Sequence, residues 1–202
     1  MRSFLTRVSI LMSHDQFITR SIELDIAHRV MHERVKCFSL HGHRIKIELT
    51  FVFSAQKEIG YCIDFREIKR VGGQWLDDML DHGFIANPED HVIINACKET
   101  GSKIYMLSLN GENKYCNPTA ENVAREVFMA MEILFSGYEH LHISTVRYYE
   151  TPNCWVDVNQ NSIIPIEKEH FYHYRNNEIV TYAKAKGIME YDAREAEKRN
   201  IL

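Results

Sequence analysis

The sequence lacks the features that would place it in several specialised classes of protein. No apolar stretch reaches the roughly 18 residues that a membrane-spanning helix needs. There is no basic block, and 24 Lys and Arg against 28 Asp and Glu leave a net charge of −4, so nucleic acid is not an expected partner. Arg7 interrupts the first apolar stretch and no small-residue cleavage pattern follows it, which predicts a mature cytoplasmic start rather than a signal peptide.

Paired cysteines are also missing. The five cysteines are odd in number and dispersed, and none forms a CxxC pair. This pattern argues against a disulfide framework and favours a reducing compartment. No internal repeat is evident, and 202 residues with 45% hydrophobic and 26% charged residues are ordinary for a globular protein with one well-buried core.

Alternating apolar and polar residues predict a sheet. The four predicted strands are at 20–30, 43–53, 141–150 and 154–158. We interpret residues 88–116 as an insertion that contains a short helix at about 90–99 and a strand at 103–108. From about 165 to 202 the chain is rich in Ala, Lys and Glu, which predicts a helical tail rather than core. Runs of strands and helices without regular alternation favour an α+β fold with an antiparallel sheet covered on one face.

Two helices are predicted between the strands. The first begins after Asp64, a candidate N-cap with Glu67 as its capping-box partner, and we expect a kink or break at Gly72-Gly73. The second is predicted to begin with Asn117 as N-cap and Pro118 in the first turn, and to end at Gly137.

The stretch CFSLHGHRIKI, from Cys37 to Ile47, carries the clearest chemical signal. His41 and His43 are two residues apart on a predicted strand, so both imidazoles point to one face. A tetrahedral ion needs a third protein ligand, and His28 at the end of the preceding strand is a candidate. Three imidazoles with one open position are typical of catalytic zinc, and a thiol at Cys37 beside such a site could act as a base.

The same residues allow a plainer interpretation. An HxH pair in a strand is more often solvated or hydrogen-bonded than metal-bound. A second pair, His140 and His142, also shares a face, but no nearby cysteine or upstream histidine accompanies it.

Two other stretches could carry chemistry. Asp81 and His82 place a carboxylate beside an imidazole that it could orient, although a helix C-terminus with a favourable histidine explains the pair equally well. Glu150, at the end of a predicted strand, could accept two hydrogen bonds from a planar heterocycle or could simply be solvated.

Taken together, these motifs resemble the 6-pyruvoyl-tetrahydropterin synthase and 6-carboxytetrahydropterin synthase family over about residues 20–158. The shared motifs, in the same order, are AHR with His28, CxxxHGH at 37–43, IDF at 63–65, LDH at 80–82, PTAEN at 118–122 and ET at 150–151. The resemblance implies a tunnelling fold, in which a four-stranded antiparallel sheet carries two helices on one face. It also implies hexamers built as dimers of trimers, with active sites at subunit interfaces.

The resemblance assigns a role to each candidate residue. Three histidines would bind Zn²⁺, and Cys37 would abstract a proton. Asp81 and His82 would form a relay. Glu150 would anchor the pterin, with less defined roles near the pocket for Thr119 and Glu121. The histidines in question are His28, His41 and His43.

The implied reaction converts 7,8-dihydroneopterin triphosphate to 6-carboxytetrahydropterin, with loss of acetaldehyde and triphosphate, for 7-deazaguanine (queuosine) synthesis. The three-residue gap between Cys37 and His41 favours this carboxy branch, because the pyruvoyl synthases of the family usually have a longer gap. A pyruvoyl synthase and a non-catalytic pterin-binding protein are the alternatives. The chain departs from the family pattern in an N-terminal extension (1–19), the insertion (88–116) and a C-terminal helical extension (161–202), which leave a synthase-like domain at 20–160.

Overall fold

The structure is a computed structural model that describes residues 10–57, 59–108 and 116–188, with side chains described from Asp15 onward. Five α-helices and six strands follow one another along this part of the chain, with a π-helix between α1 and α2 and a 3₁₀ turn after β6. In chain order the elements are β1 Ile10–His28, β2 His41–Gln56, α1 Phe65–Ile68, the π-helix Lys69–Gly73, α2 Gln74–Met79, β3 Gly83–Ala86, α3 His91–Thr100, β4 Ile104–Met106, α4 Ala120–Leu134, β5 Leu141–Thr151, β6 Cys154–Asn159, the 3₁₀ turn Gln160–Ser162 and α5 Pro165–Ala185.

The strands form one sheet in the order β4-β3-β1-β2-β5-β6. The prediction of a four-stranded antiparallel sheet is therefore wrong in its strand count. The four predicted strands are present as β1, β2, β5 and β6 and pair in antiparallel fashion. The short strands β3 and β4 extend the sheet beyond β1, and both run parallel to their neighbours. The alternation pattern could not reveal β3, since four residues are too few to display a period.

The sheet buries one face beneath the helices. Along β2 every second residue from Ile45 to Phe53 is almost fully buried, and Leu24 and Ile26 on β1 occupy the same face. Helix α4 covers this face and buries ten of its fifteen residues. The sheet thus has one buried face and one face that is more exposed to solvent, as expected when helices cover an antiparallel sheet on one side. No helix within the described residues is long and apolar enough to cross a membrane.

The first helical segment changes its hydrogen-bond pattern at the predicted break. The turns of α1 and α2 are joined by the π-helix that contains Gly72 and Gly73. Asp64 caps α1 as predicted, because its carboxylate accepts a hydrogen bond from the backbone N–H of Arg66. Gly72 lets this segment approach the sheet closely: a Cβ there would lie 2.9 Å from Leu49 Cδ1 and 2.9 Å from Met131 Sδ.

Replacing Gly72 by alanine should destabilise the fold. Leu49 and Met131 are completely buried and have little space to move into, so overpacking should cost about 1–3 kcal/mol. The better helix propensity of alanine offsets up to about 1 kcal/mol of this loss. We expect a net decrease of about 1 kcal/mol or more in the free energy of unfolding, measured by urea denaturation. Gly137→Ala is the control, since nothing lies within 4 Å of a Cβ there; Gly72→Ala being as stable as this control would contradict the packing described.

The C-terminal extension is helical as predicted, but it is not outside the core. Helix α5 buries Phe171, Ile179 and Ala183 in the main hydrophobic cluster, and Ile188 joins them after the helix ends. Its low overall hydrophobicity concealed this narrow apolar stripe. The last part of the predicted extension, residues 189–202, lies outside the described residues.

Polar contacts also hold α5 against the insertion. Arg175 on α5 donates hydrogen bonds to the Ser108 hydroxyl, at 3.0 Å, and to the Met106 carbonyl. Ser108 in turn donates to Glu126 on α4, which also accepts from Tyr105 at 2.7 Å. Burial raises the pKa of Glu126, although Arg175 and the hydrogen bonds from Tyr105 and Ser108 oppose the shift. The insertion, through Tyr105 and Ser108, and the C-terminal extension, through Arg175, are therefore both linked to the buried carboxyl group of Glu126.

The N-terminal extension also contributes to the sheet. Its residues 10–19 form the first half of β1 and pair with the end of β2, with a register shift between Leu11 and Gln16. Residues 1–9 lie outside the described part of the chain.

Candidate active site

Three histidines meet at one end of the sheet because of its register. His28, the last residue of β1, pairs directly with His41, the first residue of β2. His43 lies opposite Ile26, so both it and His41 have the parity of the buried residues of β2 and face the helix-covered side. The predicted convergence of His28 with the HxH pair is confirmed.

The imidazole rings lie against one another. Their centroids are 4.7 Å apart for His28 and His41, 4.8 Å for His41 and His43, and 5.2 Å for His28 and His43. One ring nitrogen from each lies within 4.8 Å of the other two, so the three residues could hold a metal ion. The second HxH pair is not among the groups of possible ligands within the described residues, and His140 and His142 are exposed.

The hydrogen bonds of this cluster orient its nitrogens. His28 Nδ1 lies 2.7 Å from the Pro118 carbonyl and His41 Nδ1 lies 2.6 Å from the Ser39 carbonyl. Because a carbonyl oxygen can only accept a hydrogen bond, Nδ1 of each ring must carry the proton. In the neutral imidazole, Nε2 then has a free lone pair. The Nε2 atoms of His28 and His43 are buried and have no hydrogen-bond partner among the described residues. A ligand histidine typically fixes its tautomer in this way, with the other ring nitrogen donating to a carbonyl.

The protonation state of His28 also suits a ligand. Burial lowers its pKa, and neighbouring His41 and His43 act in the same direction, against the opposing effects of the Pro118 hydrogen bond and Glu150. A neutral imidazole at neutral pH is the form that coordinates metal.

Glu150 lies at the rim of the histidine cluster. It follows buried Tyr148 by two residues on β5, and its Oε1 is 3.7 Å from His28 Nε2 and 4.0 Å from His43 Nε2. The side chain is 29% exposed. A carboxylate in this position can accept hydrogen bonds from a molecule that reaches the three imidazoles.

Cys37 lies in the loop that joins β1 to β2. The backbone N–H of Val30 donates to the Cys37 carbonyl at 2.7 Å, which closes this loop two residues after His28. Glu33 stabilises the loop by accepting from the N–H groups of Val35 and Phe38. Burial raises the pKa of the Cys37 thiol, as do the carboxylates of Glu150 and Glu33. The protein groups around Cys37 therefore do not by themselves favour the thiolate.

Asp81 and His82 form a tight pair, with His82 Nδ1 2.6 Å from Asp81 Oδ2. Asp81 also accepts from the backbone N–H of Asp25 at 2.8 Å. Burial opposes ionisation of Asp81, but these two hydrogen bonds and the charges of His82 and Lys103 bring its pKa below the ordinary value. His82 is 77% exposed and has a left-handed φ of 54°.

The structure does not bring this pair to Cys37 within one chain. His82 N–H donates to the carbonyl of Asp25, which precedes His28 on β1 by three residues, or roughly 10 Å of strand. Within the described ranges, no hydrogen bond or ion pair joins Asp81 or His82 to the thiol or to the histidine cluster.

The segment before α4 holds the other predicted residues. Thr119, and not Asn117, is the N-cap of α4, since its hydroxyl accepts from the Asn122 N–H at 3.4 Å. The helix therefore begins at Ala120, Pro118 lies outside the first turn, and the helix ends at Leu134 rather than at Gly137. Glu121 is an exposed residue of the first turn.

Asn117 has a role that the sequence did not indicate. Its side chain forms two hydrogen bonds with the backbone of Met31, accepting from N–H at 3.0 Å and donating to C=O at 2.9 Å. Its side-chain oxygen also accepts from Asn87 at 3.1 Å. Asn117 thereby ties the start of the Cys37 loop to the segment whose Pro118 carbonyl orients His28. Only the pairing in three dimensions reveals this, because the two segments are 86 residues apart.

A second unforeseen anchor is the ion pair of Arg29 and Asp90. Arg29 follows His28 directly and donates two hydrogen bonds to Asp90, at 2.5 and 2.7 Å. Asp90 is 2% exposed and also caps α3 through the Ile93 N–H. The Arg29 guanidinium lies 5.3 Å from the ring centroid of Phe38, next to Cys37. The insertion thus supports the loop that carries the thiol.

The pair predicts a change in acid stability. Burial disfavours the Asp90 charge, but Arg29 and the N–H of Ile93 outweigh it and lower the pKa of Asp90. A lowered pKa stabilises the fold above the unfolded-state value near 3.8 and this contribution is lost as the pH falls through the folded pKa. Asp90→Asn keeps a capping oxygen without the charge, so we expect a loss of about 2 kcal/mol in unfolding free energy at pH 7 and a smaller difference from the native chain near pH 3.

Asp157→Asn is the matched control for this prediction. Asp157 pairs with Arg147 in similar geometry, but both side chains are well exposed, so the loss should be under about 1 kcal/mol. Equal losses for the two variants, or a difference at Asp90 that does not shrink in acid, would contradict the role assigned to the pair.

With this geometry established, comparison with known proteins assigns the chain to a family. The family model described as 6-pyruvoyl tetrahydropterin synthase matches residues 17–161. The chain belongs to this family. The matched stretch runs from β1 to the 3₁₀ turn after β6 and includes all nine candidate site residues.

Curated relatives of this family member are named as enzymes. A 6-carboxy-5,6,7,8-tetrahydropterin synthase of Rickettsia felis is 38% identical over 147 residues, which cover 69% of this chain and 97% of the relative. A protein of the same name from Haemophilus influenzae is 26% identical over 149 residues, which cover 71% of this chain and 98% of the relative. Nearly the whole length of each relative is therefore represented in the chain.

Solved structures show the same fold at low sequence identity. An uncharacterized protein from Wolinella succinogenes aligns with a TM-score of 0.60 at 17% identity, over 73% of this chain and 99% of that one. The 6-pyruvoyl tetrahydropterin synthase of Caenorhabditis elegans aligns with a TM-score of 0.52 at 19% identity, over 74% and 98% of the two chains. These likenesses support the α+β fold of the family.

Proposed function

We propose that this member of the 6-pyruvoyl tetrahydropterin synthase family is a zinc-dependent 6-carboxytetrahydropterin synthase. It would convert 7,8-dihydroneopterin triphosphate and one water molecule to 6-carboxytetrahydropterin, acetaldehyde and triphosphate, in the synthesis of queuosine. The observation that carries the proposal is the convergence of three imidazoles, two with buried and unpartnered Nε2 atoms, beside the carboxylate of Glu150 and the loop of Cys37.

The donor set fits zinc. Three neutral imidazoles are a typical protein ligand set for catalytic Zn²⁺, and the orphaned Nε2 atoms of His28 and His43 are costly to bury unless something occupies them. His28, His41 and His43 would hold the ion. When bound, it would supply a Lewis acid that polarises the side-chain hydroxyls of the substrate and a positive charge that favours the Cys37 thiolate.

The remaining steps fall to side chains of the protein. Glu150 would accept hydrogen bonds from the amide and amine groups of the pterin ring, and so hold the ring at the rim of the histidine cluster. The Cys37 thiolate would remove a proton from a side-chain carbon of the substrate. The Asp81–His82 pair would move protons to and from the side-chain oxygens, with Asp81 fixing the orientation of the imidazole. Thr119, as N-cap, would fix the start of α4, whose preceding carbonyl orients His28.

The separation of the relay from the thiol supports active sites shared between subunits. Asp81 and His82 lie roughly 10 Å along β1 from His28, and His82 is largely exposed. A neighbouring copy of the chain could bring its own exposed His82 to the thiol, as the implied hexamer of two stacked trimers requires. We therefore propose a homo-hexamer. We also propose a cytoplasmic location for the protein.

Two observations favour the carboxy branch over the pyruvoyl branch. Only three residues separate Cys37 from His41, and three curated relatives at 35–38% identity carry the carboxy name. The pyruvoyl synthase remains the alternative function, because it uses the same substrate and the same kind of site.

Product analysis tests the proposal. Zinc-loaded protein would be incubated with 7,8-dihydroneopterin triphosphate, the pterins identified by mass spectrometry and acetaldehyde trapped as a hydrazone. We expect one acetaldehyde for each 6-carboxytetrahydropterin formed. A 6-pyruvoyl product without acetaldehyde would replace the carboxy assignment by the alternative. Pterin binding without any turnover would identify a non-catalytic binding protein.

A further inference from the structure

A second cleft borders the middle of β1, away from the histidine cluster at the end of that strand. It has a volume of about 630 Å³ and lies between residues 20–24 of β1 and the helical segment from Arg66 to Asp77. Arg20 is eight residues from His28, or roughly 26 Å along the strand. The cleft is large enough for a small-molecule ligand, and the candidate active site does not use it.

On the β1 side of the cleft, the Nε–H of Arg20 has no hydrogen-bond acceptor among the described residues. Arg20 has the same parity on β1 as Ile22 and Leu24, so it lies on the helix-covered face of the sheet. Its Nε atom is buried and has no hydrogen-bond partner among the described residues. A buried guanidinium N–H without an acceptor is unfavourable, and an anionic oxygen is its best partner.

The opposite wall adds three more cations. Arg66, Lys69 and Arg70 follow one another at helical spacing and therefore share a face. Asp64 and Glu67 hold the two guanidinium groups in place, at 2.9 Å and 2.7 Å. Lys69 has no hydrogen-bond or ion-pair partner within the described ranges.

Within the described residues Arg66 and Arg70 are paired with Asp64 and Glu67, and only Arg20 and Lys69 have no acidic partner in the cleft. Glu23 and Asp77 line it, but the Glu23 carboxylate pairs with Arg44 at 3.1 Å, and Glu23 has the opposite parity to Arg20 on β1. Two unpaired basic side chains, those of Arg20 and Lys69, thus border this space, and Asp77 is the one lining carboxylate without a hydrogen-bond or ion-pair partner among the described residues. Because the chain as a whole carries a charge of −4, this concentration of positive charge is local and does not indicate a general affinity for polyanions.

We infer that this cleft binds a small oligophosphate, either as a free anion or as the phosphate chain of a nucleotide. Phosphate oxygens match the fork of Arg20 and the point charge of Lys69, and linked phosphates would offer oxygens to both walls. The inference does not depend on the proposed function, because it uses none of the residues of the histidine cluster.

Calorimetric titration of the full chain with inorganic triphosphate and, separately, with GTP tests the inference. We expect binding that weakens at least about tenfold in the double variant Arg20→Gln/Lys69→Gln. Lys98→Gln/Lys184→Gln is the control, since it removes the same charge at exposed positions on α3 and α5 and should bind as the native chain does. Equal affinity for the two probes would assign the site to free oligophosphate, and tighter binding of GTP would assign it to nucleotides.

Three results would overturn the inference. These are no binding of either probe to the native chain, equal weakening in the test and control variants, and loss of binding in His43→Ala. The last result would place the anion at the histidine cluster instead. Circular dichroism of the variants confirms that any loss of affinity arises in a folded chain.

Discussion

Substitution of His43 by alanine should yield a folded protein that contains almost no zinc and has lost turnover by at least about 10³-fold, since metal catalysis of this kind contributes several kcal/mol. His43 is a suitable candidate ligand to remove because its Nε2 is buried, lies 4.0 Å from Glu150 and has no hydrogen-bond partner among the described residues. Its ring nevertheless contributes little to the core, since its side chain is 20% exposed. Metal content by plasma mass spectrometry and turnover of dihydroneopterin triphosphate measure the two effects.

The second HxH pair offers a matched control. His142→Ala removes the same side chain from an exposed position on β5, where the residue pairs with Val52 in the sheet. This variant should keep one zinc ion per chain and native turnover. Full zinc occupancy in His43→Ala, or equal losses in both variants, would contradict the assignment of the histidine cluster as the metal site.

Replacement of Cys37 by serine should separate chemistry from metal binding. Serine is close in size but is a far weaker base, so we expect kcat to fall by about 10²–10⁴-fold, the usual contribution of a positioned base. Zinc content should not change, because the thiol is not among the three ligands. Burial and nearby carboxylates raise the pKa of this thiol, and the positive charge of bound zinc would oppose them. We therefore expect removal of zinc from the native protein to shift the titration of the Cys37 thiol to higher pH.

Cys154→Ser is the control for this variant. Cys154 is an exposed free cysteine on β6, so kcat should stay within a factor of about two of the native value. Native turnover by Cys37→Ser would remove the thiol from the proposed mechanism. Loss of zinc in this variant would instead make Cys37 a ligand.

Sequence patterns predicted the long elements of the fold and also the short α3 and β4 of the insertion, but not β3 or the buried stripe of α5. The alternation in β2 and β5 and the helical period of α4 extend over many residues, and each repeats its signal. Strand β3 is too short to repeat, and its partner is the non-consecutive strand β1. Helix α5 appeared to be a polar tail because only four of its 21 residues are buried, and its polar contacts with Ser108 depend on the folded insertion.

The candidate site divides in a similar way. The three histidines could be anticipated because strand parity and pairing determine their common face. Asn117 could not, because its hydrogen bonds to Met31 depend on two distant segments meeting. The role of Asp90 could not be anticipated either, because only its pairing with Arg29 shows that the insertion supports the Cys37 loop. The Asp81–His82 pair was predicted correctly as a pair, whereas its distance from the thiol follows from the parallel pairing of β3 with β1.

X-ray absorption at the zinc edge of the purified full-length protein tests the central claim most directly. The account predicts one zinc ion per chain, with three imidazole nitrogens and no sulfur in its coordination sphere. Sulfur coordination would make Cys37 a ligand rather than a base, and a protein that neither contains nor takes up zinc would contradict the proposed site.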